Sequence, residues 1–254
     1  MWKFILSIRN LAFVALLAVG CNSRGGGSGP GDNQPFGIHG IFVRDANLTS
    51  TKDKTYFELT RNDTLFHLIA LTIDTFKIDT TAFITYYRQS PPDFLSPGQN
   101  HAVRLVYSPN NLDLTIGHIM PDTFSINFPG LISTHENPGG DAIPVEWTAS
   151  GNANGYLIAC VNDSAGKDTS FFPGSFTTNS SIPKEAFRTS TDQAVPGLYK
   201  VYIIAFRGGF SPFSGMPFPF PPNYTPSDTA YSSLVSGRIT AAFISKFDTI
   251  RVTP

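Results

Sequence analysis

VPGLYKVYIIAF, Val195 to Phe206, is the stretch whose reading decides the fold. Pro196-Gly197 marks a turn, and beyond it Tyr199, Val201, Ile203 and Ala205 fall on one side of an extended chain, where side chains alternate with period two. No window of the 254 residues sustains the apolar periodicity of a helix. Upstream, strands are predicted in FGIHGIFVRD, TYFELT, LFHLIALTI, FKIDTTAFITYY, HAVRLVYS and LDLTIGHIM. The turn clusters NLTSTKDK, RND, SPPDFLSPGQN and SPNN separate them. Met120-Pro121-Asp122 breaks this succession, and TFSINFP opens a second one. The chain therefore reads as all-β, with two tandem β-sandwich domains over 36–121 and 122–254.

The first 35 residues read differently. MWKFILSIRN carries Lys3 and Arg9 and no acid, and LAFVALLAVG is an uncharged apolar run that ends at Cys21. A basic start, a short apolar run and small residues at its end are the pattern of a signal peptide, here 1–20. The run is too short to span a bilayer, which takes roughly twenty residues. Ala18-Val19-Gly20-Cys21 resembles the lipobox of bacterial lipoproteins, although Leu is usual at the position of Ala18. That resemblance implies cleavage after Gly20, acylation of Cys21 and attachment to the membrane through the lipid. Residues 21–35 then form a Gly/Ser-rich flexible tether.

The second segment resembles a fibronectin type III domain, an immunoglobulin-like sandwich of seven strands. IPVEWTA, Ile143 to Ala149, corresponds to that family's second strand with Val145 and Trp147 inward. NGYLIACV, Asn154 to Val161, corresponds to the third with Tyr156 inward, SIPKEAF to the fifth and the turn after it, and FDTIRVTP to the last. In VPGLYKVYIIAF the resemblance gives Tyr199 the tyrosine-corner role. The departure lies after this strand, where the family has a short loop and this chain has an insertion of about 208–238. Within it, GGFSPFSGMPFPFPPNY (Gly208 to Tyr224) combines five aromatics with five prolines. Three readings are open for it. The rings fold back onto the sandwich, or they stay exposed as a recognition surface, or a partner reads the segment as a polyproline-like strip. Phe210, Phe213, Phe218, Phe220 and Tyr224 are the candidate ligand contacts.

Removing the signal peptide leaves 16 Lys+Arg against 19 Asp+Glu, a net charge near −3, which gives no basic surface for nucleic acid. With Cys21 acylated, Cys160 has no disulfide partner and reads as a small buried core residue. The histidines, His39, His67, His101, His118 and His135, fall in separate strands or loops without metal or protease spacing, and only four glutamates are present. NDSAGKD, Asn162 to Asp168, is oxygen-rich but lacks calcium-loop spacing and reads as a hairpin turn. No catalytic residue, metal or cofactor is assigned, and a hydrolase with dispersed residues stays a remote alternative. Asp-Ser and Asp-Thr pairs are over-represented and resemble the O-glycosylation motif of certain bacterial envelope proteins. That implies Thr64, Thr80, Ser164, Thr229 and Thr249 as acceptors. The function expected is a lipid-anchored cell-envelope protein acting as a non-catalytic binding or scaffolding module for a protein or glycan partner. The rival is an adhesin-like, surface-exposed lipoprotein that uses the aromatic insertion. Oligomeric state is not legible.

Overall fold

The computed structural model describes residues 36–254 except 51, 68, 81–86, 90–92, 131–133, 174–176 and 210–226. Gly20, Cys21, the tether and the aromatic candidates Phe210, Phe213, Phe218, Phe220 and Tyr224 lie outside the described residues.

Most of the expected strands form; LFHLIALTI is interrupted between Leu65 and Ala70, and the described residues of FKIDTTAFITYY are extended at Phe76–Ile78 and again from Tyr87. In the N-terminal half they are β1 (Phe36–Asp45), β2 (Asp53–Arg61), β3 (Thr64–Leu65), β4 (Ala70–Ile73), β5 (Phe76–Ile78), β6 (Tyr87–Gln89), β7 (Asn100–Tyr107) and β8 (Leu112–Ile119). The second half contributes β9 (Ile126–Phe128), β10 (His135–Pro138), β11 (Ile143–Trp147), β12 (Gly155–Asn162), β13 (Lys167–Phe171), β14 (Asn179–Ile182), β15 (Gly197–Gly208), β16 (Thr229–Ala230), β17 (Val235–Ile244) and β18 (Asp248–Thr253).

The C-terminal sandwich has the arrangement that the fibronectin type III resemblance implies. β9, β11 and β14 make one sheet, and β13, β12, β15 and β18 pair side by side in the facing one. Trp147 is 2% exposed and meets Tyr156 edge-on, with ring centroids 5.2 Å apart. Tyr199 is fully buried, and its hydroxyl donates to the Val195 carbonyl at 3.0 Å, the hydrogen bond expected of a tyrosine corner. Between β12 and β13, the Asn162 side-chain oxygen accepts from the N–H groups of Ser164 and Ala165, so the NDSAGKD stretch is a side-chain-stabilised hairpin turn.

The two sandwiches are not beads on a string. β17 pairs antiparallel with the end of β15 (Ile204↔Ile244 to Gly208↔Thr240) and, on its other edge, parallel with the whole of β1 (Phe36↔Val235 to Asp45↔Ile244). One sheet therefore runs β18-β15-β17-β1-β2 through both halves. On one face, the four-stranded sheet β5-β4-β7-β8 covers Phe36, Ile38, Phe42, Phe57, Val235, Ile239 and Ala241. Further along that face, the three-stranded sheet covers Tyr156, Ile158, Cys160, Val201, Ile203 and Ala205. The reverse face carries a third apolar cluster, with Ile41, Tyr56, Leu157, Tyr202, Ile204 and Phe206. This double burial explains why YIIAF is apolar without a break: a strand central to a sheet with two apolar faces does not alternate.

The strand that completes the N-terminal core thus lies outside 36–121, and the insertion expected to reach about 238 has already re-entered the sheet as β16 at Thr229. The register shows how. Gly208 stands opposite Thr240 and Thr229 opposite Gly237, on the same edge of β17. β15 and β16 are one interrupted strand, and the chain closes its hairpin tightly at 231–234, where Tyr231 N–H donates to the Val235 carbonyl at 2.9 Å. Gly209 and Asp228 fall where Ile239 and Arg238 need partners, and Asp228 already pairs with Arg238 at 2.6 Å. Joining Gly209 directly to Asp228, which removes residues 210–227, is expected to leave a continuous strand. The midpoint of thermal unfolding should move by no more than about 4 °C, roughly 1 kcal/mol for a chain of this size. Collapse of the fold in circular dichroism would show that the excised rings belong to the core.

Candidate functional site

Between the ends of β7 and β8 in the four-stranded sheet and the shared sheet, a cleft of about 360 Å³ opens. Among the described residues it is lined from the N-terminal half by Asn100 and the Gly117–Ile119 end of β8. From the other side come Asn154, Arg207, Gly208, Gly209, Ser227, Thr229, Tyr231, Arg238 and Ile239. The size is at the low end of small-molecule pockets, about 300–1,000 Å³. One wall is the ends of β7 and β8 and the other lies on β15, β16 and β17, so the cleft is built on strands.

Hydrogen bonds fix this lining. His118 Nε2–H donates to the Arg207 carbonyl at 3.0 Å, which stitches the N-terminal half to the end of β15. Burial, with the Arg207 charge nearby, holds the His118 imidazole below its usual range and so in the neutral form. The Gly209 carbonyl accepts from the Thr240 hydroxyl at 2.7 Å, and Asn154 Oδ1 accepts from Gly208 N–H at 2.9 Å. Arg207 donates through Nη1 to the Asn152 carbonyl at 3.1 Å. Burial pushes the Tyr231 phenol upward, so it too stays protonated. Gly208 has φ +98, and a Cβ there would strike the Ile239 carbonyl and lie 2.9 Å from the His118 ring, so only glycine fits where the chain leaves the sheet.

Of the hydroxyls marked as glycosylation candidates, Thr64 and Ser164 are exposed, Thr229 is exposed at the cleft, and Thr249 is half-buried with its hydroxyl 3.2 Å from that of Thr134. Thr80 is 6% exposed and donates to the Ile69 carbonyl at 2.9 Å, so its hydroxyl is not available to an enzyme. Asp63 and Asp74, each followed by threonine, have left-handed backbones with φ of 61° and 51° at turns, a structural use of that pair. Cys160 is fully buried, and burial raises its thiol far above the usual range, which keeps it protonated and inert.

The histidines are less scattered than their spacing suggests. His101 and His118 stand opposite each other on β7 and β8, and both meet the ring of Phe42, at 6.1 and 5.6 Å. His101 also faces Asp74, 2.8 Å from Nδ1, and the Ser96 carbonyl, 3.4 Å from Nε2. Both of its nitrogens are thus committed to acceptors, and Asp74 further accepts from Ala102 N–H, which makes the pair a brace between loops. The tight turn at Ser108–Asn111 sets this register, so His101 and His118 were discoverable from the hairpin itself. Among the described residues, no three His, Cys, Asp or Glu side chains gather as metal ligands, and no helix is long and apolar enough to cross a membrane. Arg207 and Arg238 carried no sequence signal, because neither belongs to a motif and β17 was not expected in the N-terminal half.

No protein-family model matches the chain, and no curated protein does. Among solved structures, the chain is similar to one described as fibronectin(III)-like modules of Clostridium thermocellum CbhA. The identity is 11%, the match covers 82% of this chain and 94% of that one, and the TM-score is 0.21. The sandwich assignment rests on the strand pairing itself, and the chain is an all-β protein of packed sheets.

Proposed function

We propose that this protein is a non-catalytic binding module of the bacterial cell envelope, held by a lipid on Cys21, with its ligand seat in the cleft between the two sandwiches. The observation that carries the binding role is the cleft itself. It is a concavity of mixed polar and apolar lining, formed between two sheets, whose backbone carbonyls are tied down by His118 and Thr240. Such preorganisation reduces the ordering cost of binding. The test is a thermal-shift screen of small polar ligands against the purified protein and a Thr229→Trp variant, which fills the exposed rim. Ligands that stabilise the parent and not the variant support the reading, and ligands that stabilise both equally count against it. For the anchor, a Cys21→Ala protein recovered in the soluble fraction is the expected result.

The aromatic insertion supports a second reading, an adhesin-like surface role. Because Gly209 and Asp228 are already in register on β17, closing this strand does not require the residues between them, which leaves them open to recognition. Thr64 and Ser164, both exposed, are the acceptors that best suit glycosylation.

A further inference from the structure

The side chains of seven arginines are described, and their partners differ in kind. Arg44, Arg104, Arg188, Arg238 and Arg251 each hold a carboxylate. Arg61 lies over the rings of Phe36, Phe66 and Tyr107 at 5.4 to 5.8 Å. Among the described residues Arg207 does neither: its guanidinium donates to the Asn152 carbonyl, and it is half-exposed on the cleft wall.

The groups around Arg207 are what give this meaning. The nearby carboxylate, Asp228, is spent on Arg238 at 2.6 Å. Three of the acceptors beside it already hold a hydrogen bond. His118 occupies the Arg207 carbonyl, Thr240 occupies that of Gly209, and Gly208 N–H occupies Asn154 Oδ1. With its oxygen so engaged, Asn154 has its amide N–H groups left to offer a ligand. The cleft therefore presents the Arg207 guanidinium, which no carboxylate among the described residues neutralises, with the amide of Asn100 and the mutually bonded hydroxyls of Thr229 and Tyr231 at its margin.

We infer that the cleft takes a small carboxylate ligand of the sugar-acid class, with the carboxylate on Arg207 and Asn154. A guanidinium fork matches a planar carboxylate with two parallel hydrogen bonds, which a lysine ammonium does not reproduce. Hydroxyl and amide groups at the margin suit a polyhydroxylated ring, and about 360 Å³ suits one or two sugar units rather than a polymer. This inference rests on the reading of the cleft as the ligand seat.

The experiment is isothermal titration of the purified protein with mono- and disaccharides of glucuronate and galacturonate, their neutral counterparts, and glucose 6-phosphate. Uronates are expected to bind at least tenfold more tightly than the neutral sugars, and more weakly as salt is raised. Arg207→Gln is expected to remove that preference and Arg207→Lys to restore only part of it. The thermal midpoints of both unliganded variants should stay within about 4 °C of the parent value, because the side chain is half-exposed and gives up a single exposed hydrogen bond, to the Asn152 carbonyl. Neutral sugars binding the parent and Arg207→Gln equally would overturn the carboxylate and leave the cleft reading intact. A preference for the sugar phosphate would overturn the ligand class. Silence from every probe, with no hit in the thermal-shift screen, would overturn both.

Discussion

Gly237→Val is expected to unfold both sandwiches together. Gly237 has φ +144 in the middle of β17, and a Cβ there would collide with the Ile38 carbonyl oxygen on β1 and sit 2.7 and 2.9 Å from the Ile38 carbonyl carbon and amide nitrogen. These are backbone atoms of a paired strand, so relief requires the ten-residue β1–β17 ladder to open. Opening it uncovers Val235, Ile239 and Ala241, each at most 1% exposed. Fully burying a valine or isoleucine side chain contributes about 1.5–3 kcal/mol. The loss should reach roughly 3–5 kcal/mol, the range of severe core damage. Gly166→Ala is the matched control. It also has a positive φ, of 63°, but no atom stands within 4 Å of its added Cβ, so only the conformational cost of about 1–2 kcal/mol applies. The reporter is Trp147 fluorescence in urea, which lies in the C-terminal sandwich, far from the substitution in sequence. A Trp147 transition shifted in step with far-UV dichroism establishes one cooperative unit. An unshifted Trp147 transition would mean that the halves unfold independently.

Asp53→Ala is expected to be nearly as damaging, for an electrostatic reason. Asp53 has no exposed surface, and one carboxylate oxygen accepts from the N–H groups of Phe94 and Leu95 at 2.6 and 2.7 Å while the other faces Arg44 at 3.0 Å. This carboxylate ties the stretch after residue 92 to the start of β2 and seats Leu95, fully buried, in the N-terminal core. Alanine leaves two backbone donors and a guanidinium without their acceptor. Breaking such a buried pair costs about 3–5 kcal/mol. Arg104→Ala serves as contrast: its bond to Asp113 has comparable geometry but is open to solvent, where pairs contribute at most about 1 kcal/mol. Urea midpoints of the two variants should differ several-fold in their displacement from the parent. Equal displacements would refute the burial argument.

Local physics made much of this protein legible in its residues. Period-two patterning marked β1, β2, β7, β8, β11, β12 and β15, and the turn residues between them marked their ends. The fibronectin type III resemblance implied the tyrosine-corner role of Tyr199, and its hydroxyl bonds the Val195 carbonyl four residues away. Glu146 between Val145 and Trp147 faced outward as alternation requires. The His101–His118 pair was encoded in the hairpin register and needed only the turn to be placed. What the residues concealed was long-range. VSGRITAAFI carries no mark that its valine and isoleucines serve the first domain rather than the second. Its small residues, Gly237 and Ala241, make sense only once β1 is seen to run alongside.

The sequence by itself determined the class of fold and many of the strand faces, because alternation and turn chemistry act over a few residues, while the tyrosine corner was implied by the family resemblance. Only the tertiary structure decided that β17 belongs to both sandwiches and that the interruption of β15 leaves its register intact. It alone set Arg207 on a cleft wall with no carboxylate partner among the described residues. Those outcomes depend on which strand edge is open when residues two hundred apart meet, and on which carboxylate reaches which arginine. No local pattern encodes either.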